Sequence, residues 1–593
     1  MAKLVYAVLR QHAKPSVAAA LAARITRVLA RLVPDNLQAP APRLIVHDGI
    51  VAGICNPAAS LPVSGASVCM GVLHDAPADW SCPGAPAPDG SYALFRADPH
   101  GVELLTDISG SRTIWYAQTP DILLAATSQR ALVMLLGSFE FEPRALGWLV
   151  ASGTLGPGFS WDRRIGCLAN DSRLHLDRHR WTLTRSETPV AYVADGGHRR
   201  DHAARLDAAL DHSFATLDLA PERWIVPLSG GYDSRAVAAL LAAHVPEIGR
   251  LRTVTWGLRD APADRLGDAA IAQRVADSLG TAHAFLSLDG DVPVDFEQVL
   301  ARFVAAGEGR TDRISAYIDG LALWARLHAM DCDGILRGDE AFGCRRVASD
   351  FQVLRNMHVL VPGDLAGLPA AVRGTLAEVR RPDALLRRAD ETRAAWRDRL
   401  GIGFEHPYLF AALNDLKLAY VEVAHPLLTR RIVEAVRTLP DELRTDKKLF
   451  RERVLARVPP VPIARNVAIP ARAALFASAR FRAAMCAALD EAAADDPPFD
   501  TLAQCARNGL DEAAADGRGW RERPWRRALK RVRRRVGWAN DAPPVLSPGA
   551  LALRVVVAHR TVRLLREDAV ALAAEDPAGV SRHAVVAASA TGG

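Results

Sequence analysis

One junction near the middle of the chain narrows the possible folds more than any other segment. The apolar run Trp224 to Leu228 leads into Ser229-Gly230-Gly231-Tyr232-Asp233-Ser234, and an alanine- and leucine-rich helical pattern opens at Arg235. A short apolar strand, two glycines and a helix make the turn expected at the carboxyl edge of a parallel sheet, where the amides at the helix start point outward and favour an anion. Gly230 and Gly231 let a phosphate chain approach the backbone closely. Ser229 and Ser234 add hydroxyls, and Asp233 adds a carboxylate suited to holding Mg²⁺ against phosphates. No lysine occupies the loop, so it is not the GxxxxGK[ST] pattern. The plain alternative is a surface turn that happens to read SGG; the strand before it, the helix after it and Asp233 all speak against that.

The flanking chain supports the same architecture. A helical stretch from Asp201 to Leu217, a strand at Leu251 to Trp256, a helix at Asp268 to Leu279 and a short strand at Gly334 to Leu336 alternate around the junction, and beyond residue 320 the pattern is mostly helical. Before residue 190 the period is that of strands, as at Tyr92 to Phe95, Val102 to Thr106, Thr113 to Ala117 and Ile122 to Ala126. The expectation is an α/β protein in three regions, 1–195, 201–470 and 471–593. With 50% hydrophobic and 24% charged residues, disorder is excluded as the main state. The apolar stretch Ala236 to Ala243 falls far short of the ~20 residues of a membrane span.

Lys3, Arg10, Lys14, Arg24 and Arg27 interrupt the opening segment, which lacks the apolar core of a secretory signal; a cytoplasmic protein is expected. Eight cysteines without CxxC spacing argue against a disulfide framework or zinc site and read as buried thiols. The cationic run Arg518 to Arg535, with Trp520, Trp525 and Trp538 in and around it, reads as a solvated helix face, and no nucleic acid partner is expected.

The SGGYDS loop resembles the PP-loop of ATP pyrophosphatases, which cut ATP between its α and β phosphates. Thr253-Val254-Thr255-Trp256-Gly257 and the helix to His283 are similar to the second strand and helix of the asparagine synthetase family. That resemblance places Thr255, Trp256 and Gly257 near adenine. The segment Gly334 to Gly343, GILRGDEAFG, brings Gly338, Asp339 and Glu340 after a strand; the resemblance gives Asp339 a part in holding Mg²⁺ pyrophosphate, whereas on their own the two carboxylates read as a helix cap. Similarity continues through Tyr420 to Leu443 and Asp446 to Pro459, and upstream through Asp89 to Asp98, Leu105 to Ala117 and Leu124 to Val133, which look like a glutaminase-type half.

The implied fold is an Ntn-hydrolase-like αββα domain at 1–195, a degenerate class II glutamine amidotransferase half. A PP-loop synthetase domain with a parallel sheet follows at 201–470, and a helical arginine-rich extension at 471–593. ATP and Mg²⁺ are implied, with Asp233 and Asp339 as metal ligands.

Two departures narrow the expectation. Active glutaminase halves of this type carry a cysteine at position 2, but Ala2 stands there and has no nucleophile, so no glutamine hydrolysis is expected. Relatives with an inactive first half use an amine already in the substrate: β-lactam synthetases and lasso peptide cyclases. The short RGDEAFG, the Tyr232-Asp233-Ser234-Arg235 sequence and the long extension are similar to the cyclases, which implies a precursor peptide substrate and, as partners, a leader peptidase and a leader-binding protein. An ammonia-dependent asparagine synthetase, a β-lactam synthetase or a non-catalytic scaffold are the alternatives. The family's late lysine falls on Arg465-Asn466-Val467, which leaves Lys447, Lys448 or Arg465 to meet the α-phosphate. Glu340, Glu308 and Tyr317 are the candidate general bases.

Overall fold

The computed structural model describes residues 3–10, 15–58, 60–75, 77–289, 295–361, 363–458, 460–469, 478–515 and 546–574. Ala2 and the run Arg518 to Arg535 with its tryptophans lie outside them.

The first half stacks two antiparallel six-stranded sheets. One contains β1 (Lys3–Leu9), β2 (Arg43–His47), β3 (Ile50–Cys55), β8 (Trp115–Gln118), β9 (Ile122–Ala126) and β10 (Gly166–Cys167) in the order β10-β8-β9-β1-β3-β2. The other contains β4 (Val63–Ser64), β5 (Ser67–His74), β6 (Asp89–Ala97), β7 (Gly101–Thr106), β11 (Ser172–Asp177) and β12 (Thr182–Glu187) in the order β12-β11-β7-β6-β5-β4. Strand alternation divides β1 between two cores. Leu4, Tyr6 and Val8 meet Met70, Phe95 and Leu104 of the facing sheet, while Val5, Ala7 and Leu9 join Ile25, Val28 and Leu29 of helix α1 (Pro15–Leu32). Helices α2 (Gln129–Leu136) and α3 (Pro143–Ser152) join that same core, together with Trp115, Leu124 and Ala126 of the first sheet. The outer face of the second sheet, with Cys69, Tyr92 and Leu94, packs against Trp80 and Ala87 of a loop. Among the described residues up to 195 the layers are therefore α, β and β, and the second helical layer of the expected αββα stack is not built from them.

Helix α4 (Arg199–Ala215) leads into the third sheet, β13 (Trp224–Pro227), β14 (Arg252–Gly257), β15 (Ala282–Ser287), β16 (Gly334–Leu336) and β17 (Glu422–Ala424). Its order is β15-β14-β13-β16-β17, with every pair parallel. Ile225, Val254, Ile335 and Val423 feed one core; Trp224, Val226, Leu336 and Ala424 feed the other, as a sheet covered on both faces requires. The chain runs from β13 outward to β14 on one side and later to β16 on the other, so the strand order reverses beside β13, where ligand crevices form. Helices α5 (Tyr232–Ala242), α6 (Asp268–Leu279) and α7 (Phe296–Gly307) follow β13, β14 and β15.

Two sequence expectations change. Glu422–Ala424 is a strand within a stretch read as helical, and no helix follows Glu340, since the next begins at Asp350. Helix-cap duty for Asp339 and Glu340 is thereby excluded. In the carboxyl-terminal region the helix Pro548–Ala574 buries an apolar run, Leu553 and Val555 to Val557 among it, while its charged residues fall mostly in the later turns. It ties into the first half through Asp568 on Arg130, and Arg554 donates to the Val150 carbonyl at 2.8 Å. All eight cysteines are free; Cys55, Cys69, Cys167 and Cys332 are buried, but Cys82 is exposed, against expectation. No helix among the described residues is long and apolar enough to cross a membrane.

Candidate active site

The loop after β13 is drawn tight by its own hydroxyls. Ser234 Oγ accepts from the Ser229 amide at 2.9 Å and lies 2.9 Å from Ser229 Oγ, which accepts from the Gly231 amide at 3.3 Å. Helix α5 opens at Tyr232, three residues before the expected start, with Gly231 as its N-cap, so Tyr232, Asp233 and Ser234 form its first turn. Gly230 has no room for a side chain: a Cβ there would meet Ala464 Cβ at 2.3 Å and Ile271 Cβ at 3.0 Å. At Gly231 a Cβ would meet Ser229 Oγ at 3.4 Å and nothing nearer among the described residues. Arg235, fully buried, donates to the Val461 and Pro462 carbonyls at 2.6 and 2.8 Å and straps that segment over the loop. Asp268, at the start of α6, accepts from the Gly230 amide at 3.2 Å, and burial raises its carboxyl above the usual range.

Beside this loop, β16 ends at Leu336 and the chain continues through Arg337 to Glu340 outside any helix or strand. Gly338 permits the approach, because a Cβ there would lie 2.8 Å from the Ser234 nitrogen. Asp339 sits between Arg337 Nη2, 3.1 Å from its Oδ1, and His425 Nδ1, 3.1 Å from its Oδ2. Burial alone would raise Asp339, but Arg337 and His425 hold it well below the ordinary carboxylate range.

The third component comes from far along the chain. Lys447 Nζ lies 2.8 Å from Asp233 Oδ2 and 2.7 Å from Glu340 Oε1, so it bridges the loop and the Glu340 segment. Two consecutive left-handed residues, Asp446 at φ 58° and Lys447 at φ 55°, aim it there, a backbone state that non-glycine residues occupy only when their surroundings impose it. The imposing contacts are the Asp446 amide on the Cys344 carbonyl at 2.9 Å and a face-to-face stack of Phe342 on Phe450 with centroids 3.7 Å apart. Burial opposes the charge on Lys447, yet Glu340 and Asp233 together hold its ammonium above the usual lysine range. Burial pushes Glu340 up to about 7, with Lys447 pulling it down and Asp233 pushing it up.

The other candidates separate. Lys448 is exposed and lines an open cavity of about 690 Å³ with Arg346, Asp441 and Arg451, away from the carboxylates that Lys447 pairs. Arg451 also stacks on Tyr232, 4.4 Å from its ring centre. Arg465 is exposed on the segment over the loop, its amide on the Leu266 carbonyl at 2.8 Å. Thr255 is buried, its hydroxyl on the Leu228 carbonyl at 2.5 Å, so it braces β14 against the loop. Trp256 packs edge-on against Trp324, and Gly257 lies against Ala468, where a Cβ would meet Ala468 Cβ at 2.6 Å. Glu308 is not placed as a base: it is buried under α2, accepting from the Gln129 amide at 2.9 Å and from the Ser128 hydroxyl at 2.5 Å. Tyr317 is buried, and burial, against the charge of Arg337, pushes its phenol up. Sequence reasoning missed Asp268, Arg235 as a strap, Arg337 and His425. Of these only Asp268, an acid at a helix start, carried a local signal.

The residues present fit Mg²⁺ and a triphosphate. Asp233 Oδ1 is buried and has no hydrogen-bond partner among the described residues, and Asp339 offers a second ionised carboxylate. One or two carboxylates plus substrate phosphates is the donor set that Mg²⁺ takes. Among the described residues there is no cluster of three or more His, Cys, Asp or Glu side chains suited to a metal held by protein alone.

No curated protein matches the chain. A family model described as asparagine synthase matches residues 205–533, which is more than half of the chain and contains the Ser229 to Ser234 loop, the Asp339 segment and Lys447. The chain belongs to the asparagine synthase family, and with it to the ATP-dependent amide-forming ligases.

Proposed function

We propose that the protein is a lasso peptide cyclase: it activates an Asp or Glu side chain of a precursor peptide with ATP and closes a macrolactam on that peptide's own N-terminal amine. A carboxylate oxygen of the peptide attacks the α-phosphorus, the bond from that phosphorus to the bridging oxygen breaks, and pyrophosphate leaves. The peptide amine then attacks the acyl carbon of the adenylate, AMP departs, and the amine's proton passes to a base. Asp233 and Asp339 would hold Mg²⁺, which when bound would neutralise charge on the triphosphate. The loop amides receive the phosphates, Lys447 stands ready to leave the carboxylates for the α-phosphate, and Arg235 keeps the covering segment in place. Glu340, raised to about 7 and beside Lys447, is the best placed of the three candidate bases.

The observation that carries ATP activation is the unpartnered Asp233 Oδ1 beside the Lys447 bridge. What favours an amine from the substrate is Ala2 together with the junction behind β1. Lys3 is buried with its ammonium 3.4 Å from Asp415 and 3.8 Å from Glu308, Arg310 pairs with Asp415, and Arg112 pairs with Glu422. Buried ion pairs thus join the two halves at this junction. Cys55, at the end of β3, is buried, and burial pushes its thiol up, which disfavours the thiolate.

The test is mass spectrometry of leader-free peptides bearing a free amine and an Asp or Glu several residues along, incubated with ATP and Mg²⁺. The expected product is lighter by one water, with AMP and pyrophosphate released; the N-acetylated peptide fails to cyclise. Turnover of aspartate with ammonia, and of no peptide, would establish the asparagine synthetase reading instead.

A further inference from the structure

Asp339 is held from the other half of the molecule. Asn414, on the buried helix Ala411–Leu418, donates through Nδ2 to the Ser111 carbonyl at 3.1 Å. A carbonyl only accepts, which fixes the orientation of the amide. The same Nδ2 lies 3.0 Å from His425 Nε2, so that nitrogen accepts, and a neutral ring with an accepting Nε2 carries its hydrogen on Nδ1. Nδ1 is the atom 3.1 Å from Asp339 Oδ2, a close polar contact whose angle is not that of a hydrogen bond. His425 is fixed a second time by its backbone amide, which donates to Ser91 Oγ at 2.9 Å. Ser91, Ser111, Asn414 and His425 are all buried. The loop that presents the Ser111 carbonyl is itself rigid: Gly110 turns it at φ 62°, and Asp107 accepts from the Ser109 and Tyr92 amides at 2.9 Å.

We propose that Asn414 and His425 are positioning residues through which the amino-terminal half, by Ser91 and the Ser111 carbonyl, locks the Asp339 carboxylate for Mg²⁺-nucleotide binding. The proposal rests on the reading of Asp339 as an Mg²⁺ ligand. It gives the amino-terminal half a definite task in ATP use. Outer partners of metal ligands typically change metal affinity by about 10–100-fold when removed.

The experiment is calorimetric titration of the full chain with α,β-methylene-ATP, with Mg²⁺ and with EDTA, alongside the melting temperature of each variant. His425→Leu and Asn414→Leu are expected to weaken the Mg²⁺-dependent binding about 10-fold or more. Binding in EDTA should stay unchanged. Ser91→Ala, which removes one hydroxyl, should weaken it severalfold, and His425→Asn, whose amide returns an N–H toward Asp339, should restore most of the affinity. Should His425→Leu not fold, Ser91→Ala and Asn414→Leu carry the test. Wild-type affinity in these variants, or an equal loss with and without Mg²⁺, overturns the relay. Asp339→Asn separates the two readings: if it leaves Mg²⁺-dependent binding intact, the ligand assignment fails, and if it abolishes binding while the other variants do not, the relay alone fails.

Discussion

Replacing Lys447 by methionine removes the cation from the centre of the site while keeping most of its length. At 2.7 and 2.8 Å, each ion pair has a Coulomb energy of about 6 kcal/mol at an effective dielectric of about 20. Desolvation opposes this, and the three side chains remain 25%, 34% and 12% exposed, so water screens much of the rest. The net loss of stability is about 1–2 kcal/mol, between the values for surface and buried pairs. Activity should suffer more, because a preorganised charge aimed at phosphate oxygens is lost: about 10²–10³ in kcat for pyrophosphate release, or about 2.7–4 kcal/mol. The assay is ATP-dependent pyrophosphate release under saturating substrate, with urea unfolding run on the same preparations. Lys448→Met serves as the control, since that side chain is exposed over the neighbouring cavity, and should stay within about twofold. If Lys447→Met released pyrophosphate within threefold of wild type, or if Lys448→Met were the damaging change, the assignment of the phosphate cation would be wrong.

Asp233→Ala and Asp339→Ala should each abolish product formation and the Mg²⁺ dependence of nucleotide binding, with a lower melting temperature as well, since each takes a carboxylate from a partly buried cation, and wild-type pyrophosphate release by either would refute the phosphate-loop assignment. Gly230→Ala drives a methyl into Ala464 at 2.3 Å and should cost about 1–3 kcal/mol, read as a lower urea midpoint, together with most of the activity. Burial raises Asp364 to about 6, so the folded chain binds an extra proton between about pH 4 and pH 6 and loses stability as pH rises through that window. Asp364→Asn removes that loss, and the urea midpoint of the variant should exceed wild type at pH 7.5 but not at pH 4.5.

The strand, glycine loop and helix at Trp224 to Ala242 were legible because each residue there answers to a local rule: apolar strand, glycines for close approach, hydroxyls and a carboxylate at a helix start. So were the two strand-rich and helix-alternating textures, since side-chain periods of two and 3.6 are properties of neighbouring residues. The helix start at Tyr232 and the strand Glu422–Ala424 were not, because α5 is set by the hydrogen bonds of Ser229 and Ser234, and so short a run as Glu422-Val423-Ala424 becomes a strand only beside β16. The same holds for the choice between Lys447 and Lys448. They are adjacent in sequence and identical in chemistry, and only the left-handed turn at Asp446 and Lys447, imposed by Cys344 and by Phe342 on Phe450, sends one to Asp233 and Glu340 and the other to solvent. Ser91 and His425 lie in stretches that resemble the family, but nothing local marks either of them, or Asn414, for a part in the site. Their roles arise from long-range packing of two halves of the chain, which brings together atoms whose separation in sequence leaves no periodic trace. Sequence determined the chemistry of the loop and the family to which it belongs; the tertiary structure decided which cation, which carboxylates and which distant supports complete it.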